Sequence, residues 1–126
     1  MIDSEKATRI WNRACSSDAA PMLAADWALS EMLRLHGYIM NGGVLHGIEA
    51  MDPEDWKFMI EAYRLFGLSD VADFLVDTER SFRTEDDLGA LETRANARCG
   101  DLVPGDKRLF DALCTYFRSH PEKFAP

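Results

Sequence analysis

Along most of this chain the apolar residues recur three and four positions apart, the spacing of one face of an α-helix. Ala7, Ile10, Trp11 and Ala14 mark the inner side of a first helix. Asp3 or Ser4 would cap it, and Glu5 and Arg9 are spaced to pair on its outside. A longer stripe follows through Met22, Ala25, Leu29, Met32, Leu33, His36 and Met40, widened by Leu23 and Trp27. It predicts a helix over about 19–40, with Asp18 as a candidate cap and a break or kink at Gly37.

Asn41-Gly42-Gly43 then interrupts the pattern, and residues 44–50 have room for only a short helix. Asp52-Pro53-Glu54-Asp55 is a helix start, with a cap, a proline at the first helical position and acids at the positive end of the dipole. Trp56, Met59, Ile60, Tyr63 and Phe66 form its inner side, and Gly67 ends it. Ser69 would cap the next helix, which turns Val71, Phe74, Leu75, Thr78 and Phe82 inward.

Thr84 would cap a further helix, with Glu85, Asp86 and Asp87 in its first turn and Arg94 and Arg98 in its last. Its apolar side (Leu88, Leu91, Ala95) is thin. Beyond a loop at Gly100, Pro104 and Gly105, Asp106 would cap a terminal helix that stops before Pro121 and buries Phe110, Leu113, Cys114 and Phe117. No segment alternates with period two, and no hairpin turn lies between strand-like runs. The expected fold is all-α, a single compact domain of about six or seven helices. It comprises a long helical arm over 1–40, a hinge at 41–43, acidic helices over 52–98 and a terminal helix over 106–120.

Composition adds bounds to this pattern. At 126 residues, 47% of them apolar, the chain has the length and the core-forming residues of one globular domain. The longest uncharged stretch, 35–48, holds two histidines, an asparagine and four glycines, which rules it out as a membrane span. The first residues contain acids and no apolar run, so no secretion signal is expected. Cys15, Cys99 and Cys114, odd in number and widely spaced, suit reduced thiols in the cytoplasm.

Net charge changes the picture more. The chain carries −8, and residues 52–92 hold twelve acids against four bases, while the remainder holds ten of each. The whole surplus therefore lies in one third of the sequence. It disfavours direct contact with nucleic acid or anionic membranes and favours a basic protein partner. Asp70, Asp73 and Asp77 recur at +3 and +7, one helical stripe without an intervening lysine, at a spacing comparable with phosphates along a DNA strand. With Glu79, Glu85, Asp86 and Asp87 they form the expected partner-binding face. The competing reading of the same acids is a solvated face that keeps the domain soluble.

A second set of candidates surrounds the hinge. His36, Asn41, Gly42, Gly43, His46 and Glu49 would line a pocket if their side chains converge. His46 and Glu49 share a face at i, i+3, yet no further ligand spacing supports a metal, and no cofactor motif is present. His36 lies on an apolar stripe, the usual place of a hydrogen-bonded core histidine. Cys99 follows Arg94 and Arg98, which would lower its pKa, but no oriented base accompanies it.

Asn41-Gly42-Gly43 ends a long helix, and WKFMIEAYRLFG (56–67) with 68–75 after it forms the middle of the chain. LFDALCTYFRSHPEKFA (109–125) closes it. Together these stretches resemble the bacterial DNA-mimic family of small acidic helical proteins, over roughly 29–125. That family's pattern after the glycines is an aromatic, a Gln, two aromatics and Asn or Ser, where this chain has Val44, His46, Gly47, Ile48 and Ala50. The resemblance implies an all-helical fold, often a homodimer, and no enzymatic activity. It also implies an acidic surface that occupies the DNA-binding face of a transcription factor or nucleoid protein. The alternatives are a small-molecule-binding protein or enzyme using His36, His46 and Glu49, and an immunity or antitoxin-like protein whose basic partner is a toxin.

Overall fold

The computed structural model describes residues 2–16 and 22–126, and among them there are seven α-helices and no strand, the expected all-α class. The helices are α1 (Ile2–Cys15), α2 (Ala24–Gly42), α3 (Val44–Ala50), α4 (Pro53–Leu65), α5 (Ser69–Thr84), α6 (Leu88–Leu102) and α7 (Asp106–Ser119). A 3-10 turn at Pro121–Lys123 leads into the final residues. α2 is the element on which the others are laid: α1, α3 and α4 all pack against it. Its Leu29, Met32 and Leu35 are wholly buried. α5 rests on α4, α6 on α5 and α3, and α7 on α1. Tyr63, Met59, Leu75, Leu109 and Leu113 complete the centre of the core, and each such side chain contributes about 1.5–3 kcal/mol by leaving water.

The local signals around α4 act as their chemistry dictates. Asp52 accepts the Asp55 N–H at 2.9 Å, with Pro53 opening the helix. At its other end Gly67 takes φ 78° and Leu68 N–H reaches back to the Tyr63 carbonyl at 2.8 Å, the wrap that suits glycine. Asp52→Ala is expected to lower the unfolding free energy by about 1 kcal/mol, read from urea melts. An unchanged midpoint would mean that water replaces the cap without loss.

Several local expectations are corrected. α2 passes through Gly37 without a break, its exposed glycine needing no partner. Trp27 is 53% exposed, because it stands two residues from both Ala25 and Leu29 and so points away from their face. Met40 is exposed because the last turn of α2 runs past the core. The Asp18 cap lies outside the described residues. Leu68, not Ser69, precedes α5. Thr84 ends α5, its hydroxyl turned back to the Arg80 carbonyl, and Asp87 caps α6 by accepting Ala90 N–H at 3.0 Å. Glu85 and Asp86 therefore belong to a link, not to a first helical turn. α6 continues through Gly100 to Leu102, which leaves Arg94 and Arg98 in its middle. Gly105 caps α7, and the Asp106 carboxylate goes elsewhere. Glu5 and Arg9 form no ion pair.

Candidate functional site

Asp70, Asp73 and Asp77 do share one face of α5, and they line one side of a shallow groove whose other wall carries Arg94 and Arg98 of α6. They are not a bare row. Arg108 of α7 grips Asp70 with two hydrogen bonds of 2.9 and 3.1 Å, Arg64 of α4 meets Asp73 at 2.9 Å, and Arg80 stands 3.6 Å from Asp77. Burial by itself raises the Asp70 pKa, but the Arg108 hydrogen bonds, the Val71 N–H and the Arg108 charge outweigh it and hold the carboxyl below its ordinary value. Glu79 leaves the row altogether and pairs with Arg83 on the opposite side of α5, while Glu85 meets Arg94 at 3.4 Å. Of the seven acids expected to form one face, only Asp86 and Asp87 are without an arginine, and Asp87 is a helix cap.

The hinge residues also separate. His36 Nε2 lies 2.8 Å from an Asp106 carboxylate oxygen at the start of α7, on the core side of α2. His46 is exposed on α3, with its ring edge-on to Tyr38, 5.9 Å between centroids. The two imidazoles thus serve different neighbours and do not converge on a pocket with the exposed Glu49. The glycines have backbone roles instead. Gly43 takes φ 93° and ψ 173°, and Asn96 of α6 accepts the Val44 N–H at 2.9 Å, capping α3 from across the fold. A Cβ on Gly42 would come within 2.6 Å of the His46 ring. Nothing in the sequence pattern pointed to Asn96, which lies 52 residues away from Val44.

Trp56, Ile60 and Phe82, which the sequence placed on inner faces, form part of the wall of an open groove. Ile48 and Met51 at the end of α3, Trp56 and Ile60 of α4, and Val76 and Phe82 of α5 enclose about 710 Å³. Lys57 and Glu61 stand on one rim and Glu79 and Arg83 on the other. Pro53 also lines this groove, so the start of α4 and the end of α5 meet at its mouth. Asp52 and Glu54 flank Pro53 in the chain, and the Glu85-Asp86-Asp87 link begins two residues after Arg83, while the charged residues of the lining itself are Lys57, Glu61, Glu79 and Arg83.

Negative charge is crowded around the start of α4. Glu31, Asp52 and Asp55 gather around a single cation, Arg34, which lies 2.8 Å from Asp55 and 3.3 Å from Glu31. Burial raises the Glu31 pKa, Arg34 lowers it, and the charges of Asp55 and Asp52 raise it again, for a net upward shift. The Asp55 hydrogen bond most of all, and after it the charges of Glu31 and Asp55, raise the pKa of Arg34 against the lowering by burial. Around Arg34 three carboxylates share one cation, whereas Asp70, Asp73 and Asp77 of α5 each have an arginine of their own.

Two of the three thiols are shifted away from ready ionisation. Burial pushes the Cys99 pKa up, against the lowering that Arg94 and Arg98 suggested, and burial with Asp106 pushes Cys15 up as well. Among the described residues no three His, Cys, Asp or Glu side chains are placed to hold a metal ion, and no helix is long and apolar enough to cross a membrane. No family model, no curated protein and no solved structure matches the chain.

Proposed function

We propose that this chain is a non-enzymatic interaction module that receives a basic, partly apolar segment of another protein in the groove between α3, α4 and α5. The observation that carries the reading is an apolar groove of about 710 Å³ whose lining includes Pro53, which stands in the chain between Asp52 and Asp55, and these two with Glu31 gather around the single cation Arg34. Apolar walls of this kind supply affinity, and surrounding charge of one sign selects and steers a partner of the other. Imitation of a DNA backbone by the α5 row is the weaker form of the idea. A run of phosphates has no guanidinium of its own, whereas this row holds Arg64, Arg80 and Arg108 against its carboxylates. A transcription factor, a nucleoid protein or a toxin would each present suitable basic segments, and the groove makes the same demand of all three.

The test uses a labelled amphipathic peptide of leucine and lysine, and its counterpart of leucine and glutamate, followed by fluorescence anisotropy. The lysine peptide is expected to bind and to weaken about tenfold or more between low and high salt. Glu54→Lys with Asp86→Lys should weaken it several-fold, and Phe82→Ser should do so with little dependence on salt. Equal binding of the two peptides, or binding indifferent to salt, would sink the proposal.

A further inference from the structure

One side of the molecule, where α1 meets α7, carries the opposite sign of charge. Residues 2–16 and 117–126 hold five bases against three acids, in a chain whose net charge is −8. Lys6, Arg9 and Arg13 stand three and four residues apart, on one stripe of α1. They border a second cavity, of about 420 Å³, whose apolar walls are Ile10 of α1, Phe117 of α7 and Phe124 beyond the 3-10 turn. This cavity and the α3–α4–α5 groove have no residue in common. Arg13 is already committed: it pairs with buried Asp26 and donates to the Ala125 and Pro126 carbonyls, which ties the final residues down as one wall. Lys6 and Arg9 are exposed and form no ion pair or hydrogen bond among the described residues.

A site so built sorts ligands by both of their ends. Its volume falls within the range of small-molecule pockets, about 300–1,000 Å³. The side chains of Ile10, Phe117 and Phe124 offer no hydrogen bond, so a phosphate or nucleotide filling the cavity would leave polar atoms unpaired against them. An alkyl or aryl chain has no such cost. The two uncommitted cations that border the cavity call for one anionic end, and the Arg9 guanidinium has the fork that matches a carboxylate. The surplus negative charge of the whole chain repels anions at long range, so an anion stays only where local cations and apolar contact act together. We infer that the cavity between α1 and residues 117–126 binds a small apolar carboxylate, with its chain against Ile10, Phe117 and Phe124 and its head on Lys6 and Arg9.

Isothermal titration of the full chain with decanoate, and with decylammonium as its cationic counterpart, tests this. One decanoate per chain is expected to bind, more weakly as salt is added. Each methylene from hexanoate onward should tighten binding by up to about fourfold until the cavity is full. Lys6→Ala with Arg9→Ala, both at exposed positions, should weaken decanoate about tenfold or more. The circular dichroism spectrum of that variant, and its binding of the leucine–lysine peptide in the groove, should be unchanged. Amide chemical shifts should move in residues 6–13 and 117–126 on titration. Absence of decanoate binding, equal binding of the two amphiphiles, or a double variant that binds decanoate as the parent does would overturn the inference. Shifts centred on residues 48–83 would place the ligand in the groove and overturn it equally.

Discussion

Asp26→Ala is expected to lower the unfolding free energy by about 3 kcal/mol, with a fall in Tm of roughly 10 °C or more. Asp26 is 2% exposed, and its carboxylate satisfies three donors at once. Arg13 Nη2 donates to one oxygen at 2.5 Å, and the other oxygen accepts the Leu23 N–H at 3.0 Å and the Ala125 N–H at 2.7 Å. Arg13 in turn donates to the Ala125 and Pro126 carbonyls at 3.0 and 3.2 Å. One ion pair thus joins α1, the start of α2 and the residues that follow the 3-10 turn. Phe124 is held there against Phe117, their ring centroids 5.7 Å apart. Removing the carboxylate leaves a partly buried guanidinium and two backbone donors without acceptors, and the cost of those orphans sets the magnitude. Asp26→Asn keeps an acceptor without the charge and should lose less. Denaturant melts measure the stability, and amide exchange over 121–126 should rise in the alanine variant. A loss below 1 kcal/mol, or unchanged exchange in that segment, would refute the account.

Gly43→Ala is expected to cost about 2 kcal/mol, more than the same change at Gly67. At φ 93° and ψ 173° Gly43 lies where side chains are disfavoured, and a Cβ there would sit 3.1 Å from both amide atoms of Asn96. The strained backbone and the disturbed cap on Val44 N–H therefore act together. Gly67, at φ 78°, meets nothing within 4 Å of an added Cβ, so alanine there loses only the conformational preference, about 1–2 kcal/mol. Asn96→Ala should lower stability by about 1 kcal/mol, and combined with Gly43→Ala should lose less than the sum of the two. If Gly43→Ala proved no more harmful than Gly67→Ala, the Asn96 contact would have no part in the hinge.

Much of the local architecture is legible in the residues, and the failures share a cause. The Asn41-Gly42-Gly43 break, the Asp52-Pro53 start and the Gly67 stop depend on neighbours within a few positions, and α3 and α4 begin and end there. Ser69, Thr84 and Asp106 have the chemistry of caps, but which of several cap-like residues is used depends on where the packed helix must end. The α5 carboxylates were readable as one stripe, yet their neutralisation was not. Arg108 lies 38 residues after Asp70, and only the tertiary fold brings the two side chains together. Trp56 and Phe82 belong to genuine apolar stripes, and no periodicity reveals that the stripes diverge enough at α3 to leave a groove.

By itself the sequence determined the helices, their inward faces, the places where the chain turns and the sign of its surplus charge. Each of these follows from residue spacing, backbone preference or simple summation, which need no knowledge of distant partners. The tertiary structure alone decided which arginine meets which carboxylate, where negative charge stays uncompensated and which apolar side chains remain in contact with water. Those outcomes depend on contacts between residues far apart along the chain, and such contacts exist only once the helices have packed around α2.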